Sequence, residues 1–141
     1  MKKLFLTLGL VFAISSSAIA AEKYAMVNVE YVMSKYKAAQ QATEWMRQEE
    51  IKMQKFVTDA RLDIEKTPDA QKKAKEEKYN KQLQDMAAKL KQQEEAKSKA
   101  IYNGFDNAVK KVSKDGGYTL VVPAALYGAT DISEDVVKAL K

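Results

Sequence analysis

Thr67-Pro68-Asp69 divides two long stretches that contain no other proline. Proline disfavours helix at the residue before it, so a helix arriving from the N-terminal side ends just before Thr67. The same three residues start a second helix. Thr67 is the expected N-cap, Pro68 suits the first turn, and Asp69 meets the positive end of the dipole. Such a cap stabilises a helix by ~1 kcal/mol. A proline turn this tight between two helices predicts an antiparallel hairpin.

Upstream, residues 30–66 contain neither Gly nor Pro. Val32, Tyr36, Ala39, Met46, Met53, Val57, Ala60 and Ile64 recur there at steps of three, four or seven, the spacing of one apolar helical seam. Thr43 and Glu50 interrupt it, while Ala42, Trp45 and Phe56 widen it. Downstream, a helix is predicted from Pro68 to about Ser113, with the seam Tyr79, Leu83, Met86 and Leu90. That seam fades through the polar residues 91–99 and resumes, shifted in phase, at Ile101, Phe105, Ala108 and Val112. Gly104 lies inside this helix and weakens it, and Gly116-Gly117 ends it. At 1.5 Å per residue the two helices would be ~55 and ~70 Å long, a rod-like arm and not a compact domain.

The flanks read as strand. Residues 23–29, Lys-Tyr-Ala-Met-Val-Asn-Val, are β-branched and aromatic. Tyr118-Thr119-Leu120-Val121-Val122 is an apolar run of the kind found in strands buried on both faces, and Pro123 ends it. Ala125-Leu126-Tyr127 is a further short strand candidate. Ser133 is the expected cap of a last helix from Glu134 to about Leu140. The predicted fold is mainly α with a small β body. A long helical hairpin, residues 33–114 with its turn at 67–69, projects from a base formed by residues 21–32 and 115–141. So few residues cannot bury a self-sufficient core, so copies of the chain are expected to associate through their bases.

Lys2 and Lys3, the apolar run Leu4–Ile14 and the ending Ala18-Ile19-Ala20 are the three parts of a secretory signal peptide, expected to span residues 1–20. The run is too short to cross a bilayer, which takes roughly 20 residues. Cys and His are both absent. This excludes a thiol nucleophile, a Ser-His-Asp triad and the commonest metal ligands. No phosphate-binding glycine loop is present, so neither enzyme nor cofactor is expected. Paired carboxylates such as Glu49-Glu50, Glu76-Glu77 and Glu94-Glu95 are neighbours on long helices and read as solvated surface. Residues 68–115 carry twelve basic and eight acidic groups, a field that would attract acidic partners or anionic lipid. No nucleic-acid recognition motif accompanies it.

With its opening at 23–29, its charged hairpin and its ending from Tyr118-Thr119-Leu120-Val121-Val122-Pro123 through Asp131-Ile132-Ser133-Glu134-Asp135-Val136-Val137, the chain resembles the Skp/OmpH family of periplasmic chaperones. The resemblance implies a jellyfish-like homotrimer with three helical tentacles. It implies ATP-independent holding of unfolded outer-membrane proteins between those tentacles, and lipopolysaccharide binding has been suggested for some relatives. By resemblance, Met26, Val27, Val29, Leu120, Val121 and Val122 would build the oligomerisation body. The seam supplies the expected client-contact residues: Met46, Met53, Phe56, Val57, Tyr79, Leu83, Met86 and Leu90. Met adapts to irregular surfaces. Taken singly, each of these residues is explained by packing in a loose coiled coil; the binding role rests on the whole arrangement. An adaptor coiled coil that bridges envelope proteins is the competing expectation, against which the seam breaks count.

Overall fold

The computed structural model describes residues 22–140, so the expected signal peptide lies outside the described residues. Strand β1 spans Tyr24–Met26, and helices α1, α2 and α3 span Val29–Lys35, Lys37–Glu65 and Asp69–Gly116. Strand β2 is Leu120–Val122, β3 is Thr130–Asp131, and helix α4 is Ser133–Ala139. Helices α2 and α3 form the predicted hairpin. At 1.5 Å per residue α2 extends ~44 Å and α3 ~72 Å.

The three strands make one parallel sheet in the order β2-β1-β3. The whole hairpin is the crossover from β1 to β2. Tyr24, Ala25 and Met26 pair with Leu120, Val121 and Val122, and Ala25 and Met26 pair with Thr130 and Asp131. The return from β2 to β3 is short because these strands are only two or three residues long.

Ala25, Val27, Val32, Ala108, Ile132 and Val136 form the buried core of the base. Phe105, Val109, Val112 and Val121 pack around it. One-fifth of the way back up α3, the long helix therefore still serves the base. This contact roots the arm.

The sequence-based expectations need correction at the element ends. The predicted strand at 23–29 stops at Met26, and Val29 opens a helix. Asn28 causes the switch: its Oδ1 accepts the Tyr31 N–H at 2.9 Å, an N-cap bond, while its own N–H donates to Ser133 Oγ at 2.8 Å. The single helix expected over 30–66 breaks at Tyr36, whose ψ of 112° is extended. Thr67 does not cap the second helix. Its hydroxyl donates to the Asp63 carbonyl at 2.6 Å and accepts from Lys75 Nζ at 3.0 Å, which closes the first helix instead. The second helix runs past Ser113 to Gly116, where Gly117 takes the left-handed conformation with φ 65°. Gly117 N–H bonds the Lys114 carbonyl at 3.2 Å and Tyr118 N–H the Ser113 carbonyl at 3.0 Å, the paired bonds of a Schellman ending.

Strand β2 is an edge strand and is not buried on both faces; Leu120 is 49% exposed. Ala125-Leu126-Tyr127 is not a strand; β3 lies further on, at Thr130–Asp131. Ser133 does not cap α4. Asp131 Oδ1 takes both the Ser133 N–H at 2.9 Å and the Ser133 hydroxyl at 2.6 Å. Those two bonds hold the Asp131 carboxyl below its ordinary value, the hydroxyl contributing more.

Candidate functional site

Two surfaces are built by this fold: the seam of the arm and the outer face of the base. In the arm, the candidate residues Met46, Met53, Phe56, Val57, Tyr79, Leu83, Met86 and Leu90 are all half-buried. The hairpin brings them together in layers between α2 and α3. Phe56, Val57, Tyr79 and Leu83 border one gap, with the Phe56 and Tyr79 rings edge to face at 5.8 Å. Met53, Met86 and Leu90 border another with Trp45. Their first physical role is to hold the two helices together. Among the described residues, Ala60 is the one buried apolar residue of the seam between Lys37 and Ile101, so the seam stays open along most of its length.

The distal end is tied more firmly. Lys75 Nζ lies 2.6 Å from Asp63 Oδ2, and the Tyr79 hydroxyl donates to the same oxygen at 2.6 Å. Among the described residues this is the one ion pair that joins α2 to α3; the others fall within single helices. The bonds from Lys75 and then Tyr79 lower the Asp63 pKa, and the bond to Asp63 raises that of Tyr79.

Periodicity did not single out Ile51 and Leu62. They are 53% and 48% exposed and lie about three turns apart on one face of α2, away from the seam. Tyr102, 63% exposed, was also passed over. It joins Trp45 and Ile101 in an open groove near the root of the arm. The available signal for that groove was the set of seam interruptions, Thr43 and Glu50 on α2 and residues 91–99 on α3.

In the base, the sheet sorts the six candidate assembly residues into different environments. Alternation along a strand puts Ala25 and its partner Val121 on the core side. Val27 is buried in the same core. Met26, Leu120 and Val122 point to the other side with Tyr24, and Leu120 and Tyr24 are largely uncovered. Val29, at the start of α1, belongs to neither face of the sheet. Leu126 and Tyr127, in the turn after β2, add further exposed apolar surface at 42% and 105%. β2 is also a sheet edge, so one side of its backbone is unpaired within the protomer.

Among the described residues no helix is long and apolar enough to cross a membrane, and no cluster of Asp and Glu could hold a metal ion. The arrangement offers adaptable apolar surface.

No curated protein matches the chain significantly. The model of the outer membrane protein (OmpH-like) family matches residues 23–140, which takes in the base, both arm helices and the final helix, and the chain belongs to that family.

Proposed function

We propose that this protein is an ATP-independent holding chaperone of the periplasm, which keeps unfolded outer-membrane proteins from aggregating on their way to the outer membrane. One observation carries the reading: a long helical hairpin, in a chain of the OmpH-like family, whose apolar seam is only half covered by its own partner helix. Met46, Met53, Phe56, Val57, Tyr79, Leu83, Met86 and Leu90 offer pliable apolar contact through the open gaps, and Ile51 and Leu62 add an uncovered face. Weak contacts of this kind gain strength when several arms share one base, because each bound segment raises the effective concentration of the next.

Assembly through the base is part of the proposal. Tyr24, Met26, Leu120 and Val122 form an apolar sheet face next to an unpaired strand edge. Covering that face with copies of the same chain, three by family resemblance, would complete the small core and set the arms around a common space.

The test is aggregation of an unfolded outer-membrane barrel after dilution from denaturant, followed by light scattering without nucleotide. The expected result is suppression at a few-fold molar excess of protein. Unchanged scattering at that excess refutes the proposal.

A further inference from the structure

Thr43 and Glu50 interrupt the apolar seam of α2, and the polar stretch at 91–99 interrupts that of α3. The antiparallel hairpin sets these interruptions opposite each other. Thr43, Glu50, Glu94 and Ser98 consequently line one open groove of about 520 Å3. This is within the range of ~300–1,000 Å3 typical of ligand sites. Its lining is largely apolar: Ala39, Ala42, Trp45, Met46, Ile101 and Tyr102.

The charges at the rim are not equivalent. Arg47 is engaged by Glu44 through two bonds, Nε at 3.0 Å and Nη2 at 2.8 Å. Lys97 Nζ sits over the Trp45 ring, 4.8 Å from its centre. Glu50 and Glu94 have no ion-pair or hydrogen-bond partner among the described residues. Arg47 is thus neutralised by Glu44, Lys97 keeps its charge but is held against the Trp45 ring, and both carboxylates are unpaired among the described residues.

We propose that this groove holds a basic amphipathic segment of an unfolded polypeptide. Its apolar or aromatic side chains would lie against Trp45 and Tyr102, and its Lys or Arg side chains would meet Glu50 and Glu94. The inference rests on the holding-chaperone reading and names the part of the arm that selects segments. The chain carries a formal net charge of +5, so its long-range field repels a cationic peptide. A preference for such a peptide must therefore come from local carboxylates.

Trp45 is the sole tryptophan and reports directly on the groove. The protein is titrated, by tryptophan fluorescence, with a short peptide of alternating Leu and Lys and with its Leu and Glu counterpart. The expected result is saturable binding of the Leu–Lys peptide about tenfold tighter than the other, the scale of charge-assisted contacts. Glu50→Gln combined with Glu94→Gln should abolish that preference while leaving the helical circular dichroism unchanged. Both positions are exposed, so the variant is expected to fold. Equal binding of the two peptides, or a preference that survives in the variant, overturns the inference. Barrel aggregation is measured in parallel. Protection by the wild type without a peptide preference leaves the holding reading standing and removes the groove. Failure to protect removes the holding reading, and the peptide preference then decides the groove alone.

Discussion

Tyr36 and Gly104 determine how closely α3 approaches the break between α1 and α2. A Cβ at position 104 would collide with the Tyr36 hydroxyl oxygen, so the glycine serves close approach and not free bending. Two effects then oppose each other in Gly104→Ala: alanine favours helix by about 1 kcal/mol, and the collision forces the Tyr36 ring aside. We predict that Gly104→Ala does not raise the melting temperature of the wild type. In Tyr36→Phe, which lacks the colliding oxygen, the same change should stabilise by up to about 1 kcal/mol. Thermal unfolding of the four proteins in this cycle tests the point; equal effects of Gly104→Ala in both backgrounds would show that Tyr36 is not the obstacle. Sequence alone could not distinguish these roles. A glycine in a helix looks the same whether it permits bending or contact, and only the neighbour across the interface decides.

At the scale of the element, the hairpin tip depends on Asp63. Its folded pKa is lowered from the ordinary 3.8 by the bonds from Lys75 and Tyr79. The stabilisation is therefore complete above the ordinary carboxylate pKa and is lost as pH falls through the depressed folded value. Protection from amide exchange in residues 60–79, relative to the intrinsic rate at each pH, should fall below about pH 4. Asp63→Asn should give fast exchange at neutral pH and remove the acid dependence; unchanged protection in that variant would show that the tip holds by packing alone. The hairpin itself was legible because Val57, Ala60, Ile64, Tyr79, Leu83 and Met86 keep helical spacing on both sides of Pro68. The caps were not. Asn28, Thr67, Asp131 and Ser133 carry short polar side chains that can bond any of several nearby backbone groups. Partners elsewhere in the chain take part in the choice: the Asn28 N–H for the Ser133 hydroxyl and Lys75 for Thr67. The same limit hid the break at Tyr36, where the apolar spacing runs on through a change of backbone direction. It also hid β3, whose two residues are too few to show a period.

For the whole molecule, the base unites segments more than a hundred residues apart, and its buried core is small. The apolar residues of the base were legible as a set, because a run such as Leu120-Val121-Val122 demands cover. Their division between inner and outer faces was not legible, since a continuous apolar run carries no alternation. The division has a direct consequence. Val121→Asp places a charge against the protomer's own core and should unfold the base, whereas Leu120→Asp should leave the fold intact and reduce only the assembled mass. Circular dichroism with light scattering separates the two; native mass in Leu120→Asp would place the contact between copies elsewhere. The seam residues present the same ambiguity in the arm, where packing against the partner helix and contact with a client call for the same side chains. The most direct test of the account is the solution mass of the protein, measured alone and after mixing with an unfolded outer-membrane barrel. The account predicts a multiple of the single-chain mass, shifted upward by a bound client. A stably folded single chain that binds no client at micromolar concentration would contradict it.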